Sequence, residues 1–559
     1  MNLSSQKFRF IIGLLLLIFL LLRVPGLHAT YHQDEVKWVV HSTTPGDTDT
    51  GKGQPPLSGI IFPWAGKHLG ADNMRLLPLL FGLLNFWLLY WLVKTLFDKT
   101  TALWAVGLFS VCFYSVLASL MVDIDGQFLP SFVLLTFLAF FQWQRAATAQ
   151  ARWVWGFALG ASLLLGFMAK LNFVIPALAL LAYYLSDKGW LKQLNSKRGL
   201  GILAGGLVFL GAIGLGLLVA RKFFPSFNLE RVFAHATDFF NFTGRDLGQV
   251  VFQTGKAIIY SSPLLLLVTL VKREEYKNLK LFFWWLAAGG IFYYMLFDFS
   301  RGALDKYLAF TILPISVIGG VVLKRSFSDA STRLNLKWLS GGVVLTAAIF
   351  FLQWLPQAVP ALYPKGEWIK RILALKWNFL MPFTGGSGPL GFYVSFLFIA
   401  LLWLLALGLV WLMRSRPPQQ RSYLFLLLLI SLVYNLTFVQ EYALGNINGN
   451  ATNLVKKAVA FIAANPQIDK VITYNDIGNL ELNQIGKYER RIYVAPKNDA
   501  EHKQTLNNFK GHYLVVDIPR LSPDSIYARY FSTCQSIYQA RHRQISDTVY
   551  DCAKAIDLK

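Results

Sequence analysis

Apolar runs of about 18 residues or more recur through the first 440 positions, each long enough to cross a bilayer as a helix. Thirteen such spans are predicted. The first six cover about Phe10–Leu22, Leu76–Phe97, Ala102–Leu120, Phe128–Trp143, Trp153–Met168 and Phe173–Leu185. A seventh covers about Gly199–Ala220, and an eighth follows Pro263. The rest are Leu281–Leu296, Lys306 to Lys324, Leu339–Leu355, one ending at Arg414, and Tyr423–Val439. Lys and Arg cluster in alternate loops, most densely between Lys188 and Arg198, which places those loops inside. The N-terminus is then cytoplasmic and the C-terminus outside. The first run is short and Leu27-His28-Ala29 loosely resembles a cleavage site, but a retained helix is expected.

Three long polar segments fall on the outer side, residues 28–75, 221–262 and 356–388. In the first, Ile60–Leu69 suits a helix lying in the interface, with Trp64 at headgroup depth. From 441 to 559 the pattern changes. Ala451–Ala464 is helix-like and stops at Asn465-Pro466, while Lys470–Tyr474, Arg491–Val494 and Tyr513–Asp517 are short β-rich runs. The fold class that follows is a polytopic α-helical membrane domain, residues 1–440, with a small soluble α/β domain. That domain has no Gly-rich phosphate loop, and a lid or acceptor-docking role is expected for it.

Composition agrees: 55% of the 559 residues are hydrophobic and 15% are charged, too few charges for a soluble protein of this size. The net charge of +23 follows largely from basic cytoplasmic loops. Cys112 sits in an apolar run and is expected to be inert. Cys534 and Cys552 share the tail and could pair if it is exported.

The chemistry is expected where charge breaks the apolar pattern on the outer side. Asp34 and Glu35 open the first outer loop, and Asp123 and Asp125 follow the third span. Charge beside a bilayer is costly unless it serves a site, so Asp34 is read as a catalytic base. Of the other pair Asp125 is preferred, because Gly126 after it allows close approach. Such acids could instead hold a divalent cation, Mg, Mn or Zn. Two acids and scattered histidines (His32, His41, His68 and His235, read as polar loop residues) specify no metal. Arg75, Lys170, Lys256, Arg301 and Lys306 lie at outer span ends, against the positive-inside trend. Singly they could be snorkelling side chains; together they point to an anion site, a phosphate at the membrane surface being the natural ligand. Acids, a phosphate site and apolar walls suggest transfer of a lipid-phosphate-linked group, with a carboxylate deprotonating the acceptor and cations stabilising the departing phosphate.

The order of motifs resembles the GT-C superfamily of membrane glycosyltransferases. It is closest to the branch of protein O-mannosyltransferases and the lipid A aminoarabinose transferase. The resemblance rests on Asp34-Glu35, Gln54-Pro55-Pro56-Leu57, the run from Arg75 to Gly82, Asp123-Ile124-Asp125-Gly126, and Asp305-Lys306-Tyr307-Leu308 with Pro314. It covers about residues 1–325. It implies an inverting transferase that takes a monosaccharide from a polyprenyl phosphate to a periplasmic acceptor (lipid A, glycan or protein) at a bacterial inner membrane. Asp34 matches the family's catalytic acid, Asp125 its second acid, and Lys306 and Tyr307 positions near the donor phosphate. Asp305 departs from the basic residue expected there, and the Trp-Trp-Asp motif of oligosaccharyltransferases is absent. The alternative is a transporter or flippase of lipid-linked sugars. Such proteins favour internal repeats and broken segments at mid-bilayer, whereas the charges here gather at span ends.

Overall fold

The computed structural model describes residues 4–44, 54–187, 228–237, 240, 244–298, 305–328, 334–361, 366–383, 391–415, 419–474, 476–492, 499–508, 510–516, 520–555 and 557, with scattered positions between 211 and 222. Among them nine helices are long and apolar enough to cross a membrane, or eleven spans if each of two bent pairs counts as one. With the shorter apolar helix Leu171–Ser186 these fall on every expected span but the seventh. The seventh, 199–220, lies outside the described residues apart from scattered positions. By internal packing the chain divides into two compact units, Met1–Arg23 with Trp38–Arg333, and Val24–Lys37 with Leu334–Lys559.

In the first unit the helix Leu76–Leu96 packs on Lys99–Val111 and on Leu129–Arg145. Asp98 caps Lys99–Val111, its carboxylate accepting from Thr100 N at 2.8 Å and Thr101 N at 2.9 Å. The helix Ile312–Ser328 approaches Lys99–Val111 closely, because a Cβ on Gly320 would meet Ala105 N at 2.9 Å. The third span is broken at Cys112, where Lys99–Val111 and Phe113–Leu120 meet at 67°. A helix end leaves carbonyls unpaired. The fully buried Arg23 guanidinium meets one of them, donating to Ser110 O at 3.0 Å and also to Phe19 O.

The eighth span differs from expectation. It is a bent pair, Leu247–Ser261 and Pro263–Leu270, at 87°. The sequence reading leaves Leu247–Ser261 in the outer loop because Gln249, Gln253, Thr254 and Lys256 interrupt its apolar positions. Gln253 and Lys256 are nonetheless buried. Ser262 at φ 60° and Pro263 make the corner, since a residue before proline is excluded from the helical region. The expected interfacial segment is a helix, Ser58–Leu69, with Trp64 exposed.

In the second unit β1 (Leu380–Phe383) and β2 (Phe392–Ser395) form an antiparallel pair. The tail builds a five-stranded sheet from β3 (Val471–Tyr474), β4 (Tyr488–Ile492), β5 (His512–Val516), β6 (Gln535–His542) and β7 (Ile545–Asp551). Its order is β4-β3-β5-β7-β6, with β3 parallel to β4 and β5 and the β7 pairings antiparallel. The helix Ala451–Ala464 buries Leu454, Val455, Ala458, Val459 and Ile462, a helical stripe that enters the tail core. Cys534 and Cys552 are joined as a disulfide. The β6–β7 hairpin is not predicted from the sequence because β7 alternates buried with half-buried positions and β6 buries none, so neither forms an apolar run.

Candidate active site

The site in the first unit begins where the chain leaves the helix Phe113–Leu120. Met121 and Asp123 are extended. The Asp123 carboxylate accepts from Asp125 N at 3.0 Å and caps a wide helical turn, Ile124–Phe128, that runs into Leu129–Arg145. A Cβ on Gly126 would meet Ala118 O at 2.8 Å and Met121 O at 2.9 Å. The close approach expected at Gly126 is therefore to the chain's own backbone, and it sets the direction of the Asp125 side chain next to it. Asn85 Nδ2 donates to Gln127 O at 2.7 Å and fastens the turn to Leu76–Leu96.

Both acids of this turn face lysines. Lys306 Nζ lies 2.8 Å from Asp123 Oδ2, and Lys170 pairs with Asp125 Oδ2. Lys170 comes from the turn after the helix Ala149–Ala169, and Lys306 from the short turn Asp305–Thr311 that opens Ile312–Ser328. Burial alone would lower the Lys170 ammonium; the charge of Asp125 beside it, with Tyr307, holds it above the ordinary lysine value. Tyr307 lies between the two lysines, its ring centroid 4.7 Å from Lys170 Nζ and 5.6 Å from Lys306 Nζ. Tyr293 stacks on Tyr307 at 5.7 Å. Asn172 Nδ2 links Asp125 Oδ1 at 3.4 Å to Tyr293 OH at 3.2 Å.

Two cavities open on this cluster. One, of about 60 Å³, is lined by Asp125, Asn172, Tyr293, Lys306, Tyr307 and Trp285. The other, of about 280 Å³, has Lys170, Asn172 and Tyr307 at one part of its wall and Phe233, Phe240 and Phe297 at another. Gln54 and Pro55, between the first two spans, also line it.

The remaining expected residues make contacts of their own. Arg75 is buried and donates to the carbonyl of Leu120, so it braces the end of Phe113–Leu120. Lys256 is buried near Tyr260, its Nζ 5.9 Å from the ring centroid. Arg301 lies outside the described residues. Asp34 and Glu35 occupy the first turn of a helix, Asp34–Thr43, rather than a loop. Asp34 is 34% exposed and pairs with Lys37 at 3.3 Å. Glu35 is 1% exposed and accepts from His32 N at 3.3 Å, so it is a buried capping group and no solvated acid. His32 is buried too, and His41 and His68 belong to helices rather than loops.

Among the described residues no three His, Cys, Asp or Glu side chains gather where they could hold a metal ion. Asp123 and Asp125 each face an ammonium already, a donor set that does not fit a divalent cation. Asn172 and Tyr293 are not among the expected site residues. Asn172 could have been suspected, because Lys170-Leu171-Asn172 puts two polar residues into the turn of an apolar hairpin. Tyr293 is one aromatic among many and carries no such signal.

Residues 62–213 match the family described as dolichyl-phosphate-mannose-protein mannosyltransferase. The fold is similar to that of ArnT from Cupriavidus metallidurans bound to undecaprenyl phosphate, at 14% identity and TM-score 0.55, covering 99% of both chains. It is likewise similar to ArnT from the same organism in the apo state, at 16% identity and TM-score 0.55, covering 98% of both chains. No curated protein sequence matches the chain. The likeness read from the motifs is borne out at the level of the fold: this is a multi-pass, ArnT-like membrane protein with a C-terminal sheet.

Proposed function

We propose that the protein is a membrane glycosyltransferase that moves a monosaccharide from a polyprenyl phosphate to a periplasmic acceptor, with inversion. The observation that carries this is a pair of lysines, Lys306 buried and Lys170 partly buried, around Tyr307 and beside an apolar, phenylalanine-lined cavity. Each ammonium has three N–H donors. Two ammonium groups around one aromatic ring are the charge and donor type that a phosphate takes. The aromatic wall suits an isoprenoid chain. The likeness to a structure of ArnT bound to undecaprenyl phosphate supports the same ligand class.

In the proposed reaction the acceptor O–H or N–H attacks the anomeric carbon, and the bond from that carbon to the phosphate oxygen breaks. Polyprenyl phosphate leaves with the electron pair, its charge met by Lys170 and Lys306. Asp34, accessible in the first turn of its helix, takes the acceptor proton. No step uses a divalent cation. The membrane part, residues 1–440, performs transfer, and the tail, 441–559, docks the acceptor (lipid A, a glycan or a protein). The Cys534–Cys552 disulfide supports a tail on the oxidising side of a bacterial inner membrane.

The test is single-turnover sugar release from labelled polyprenyl-phosphate monosaccharides in lipid nanodiscs, for wild type and Asp34→Asn. The variant is expected to bind undecaprenyl phosphate and to lose transfer by about 10²–10⁴-fold, the usual contribution of a general base. Full activity of the variant overturns Asp34 as the base. A wild type that binds no polyprenyl phosphate overturns the function.

A further inference from the structure

Asn172 sits in the turn Leu171–Phe173 and lines both cavities. Its amide has one fixed orientation. Nδ2 donates to Asp125 Oδ1 and to Tyr293 OH. Turning the amide over would set its carbonyl oxygen against the Asp125 carboxylate, acceptor against acceptor. The amide oxygen, Oδ1, is therefore left on the other side, buried and with no hydrogen-bond partner. A buried acceptor without a donor is costly and rare. This one stands within the cluster that holds Asp125 and both lysines.

Resting on the donor site proposed above, we infer that Asn172 is a specificity-determining residue whose amide oxygen accepts a hydrogen bond from an O–H or N–H on the ring of the donor sugar. The phosphate cannot be its partner, because phosphate oxygens offer only acceptors. The isoprenoid chain offers no polar hydrogen. Of the three parts of a polyprenyl-phosphate sugar, only the sugar supplies a donor. A site built to receive one sugar hydroxyl or amine rejects an analogue that lacks it, since the oxygen is then left buried and unpaired.

The experiment is a binding cycle between side chain and ligand, in nanodiscs. The probes are bare undecaprenyl phosphate, undecaprenyl phosphate carrying mannose or 4-amino-4-deoxyarabinose, and analogues of each with one ring O–H or N–H replaced by hydrogen. Wild type is expected to lose affinity by about tenfold to a hundredfold for one such replacement. Asn172→Leu is expected to bind parent and analogue alike, even if losing the hydrogen bonds to Asp125 and Tyr293 weakens every ligand, bare undecaprenyl phosphate included. Asn172→Asp keeps an acceptor oxygen and is expected to keep the discrimination, even if every donor binds more weakly beside Asp125. Discrimination that survives in Asn172→Leu, or that is absent in wild type, overturns the inference and assigns the oxygen to a bound water. Discrimination lost equally in Asn172→Asp also overturns it, because disturbed packing then accounts for the effect. Wild type binding bare undecaprenyl phosphate in any of these cases leaves the donor site standing. Failure to bind it removes the donor site, and this inference with it.

Discussion

The Lys306 ammonium lies 2.8 Å from the Asp123 carboxylate, joining residues 183 positions apart. The two side chains are only 8% and 5% exposed. One end is the turn that opens Ile312–Ser328, and the other is the cap of the turn carrying Asp125. The pair therefore holds two walls of the site in register.

Removing one partner of such a pair leaves a buried charge uncompensated, at about 3–5 kcal/mol. Lys306→Met is expected to destabilise the protein by that order in thermal unfolding in detergent. Adding Asp123→Asn removes the stranded charge while keeping a capping oxygen, so the double variant is expected to recover part of the loss. A double variant less stable than Lys306→Met alone would count against this account of the pair.

Lys170 is expected to bind the donor phosphate directly. A hydrogen bond to a charged group contributes about 1.5–3 kcal/mol. Lys170→Met should weaken undecaprenyl phosphate binding by about tenfold to a hundredfold by the same principle. Lys37→Met, which removes an exposed ion pair, should leave that binding unchanged. Titration in nanodiscs separates the two, and equal effects would dissolve the assignment.

Gly126→Ala is expected to displace the Asp125 turn, because the added Cβ meets two backbone carbonyls that cannot rotate away. Overpacking of this kind costs about 1–3 kcal/mol. Transfer should fall more than the melting temperature suggests, since Asp125 and Lys170 move with the turn. Wild-type turnover in Gly126→Ala would show the turn to be pliable.

In the tail, burial pushes the Asp547 carboxyl from 3.8 up to about 7. Folding thus favours its protonated form. The stability this contributes is complete below pH 3.8 and is lost as pH rises through about 7. Asp547→Asn removes the penalty of burying the anion. Its melting temperature relative to wild type should rise between about pH 4 and about pH 7 and level off above. A pH-independent difference would show that Asp547 does not titrate in this window.

What could be read before folding has a clear limit. The spans were legible because a bilayer demands long apolar helices and permits little else. The eighth escaped in part because Gln253 and Lys256 are buried in protein, where polar residues no longer mark a loop. In the tail, the helix Ala451–Ala464 was legible from its stripe, whereas β6 and β7 were not, since partly exposed strands lack a continuous apolar run.

The site divides along the same line. Asp123, Asp125, Lys170 and Lys306 stood out in the sequence as charged groups at the ends of apolar spans, where charge is costly without a role, while Tyr307 was reached only through the family resemblance. Arg75 stood out for the same reason, yet the fold spends it on the carbonyl of Leu120. By itself, then, the sequence determined a many-span membrane protein and the residue types able to hold a phosphate. Only the tertiary structure decided which lysine faces which acid, that Gly126 packs on backbone, and that Asn172 keeps one oxygen in reserve. The physical reason is reach. Hydrophobic periodicity is written locally, but an ion pair spanning 183 residues exists only once the helices between have packed.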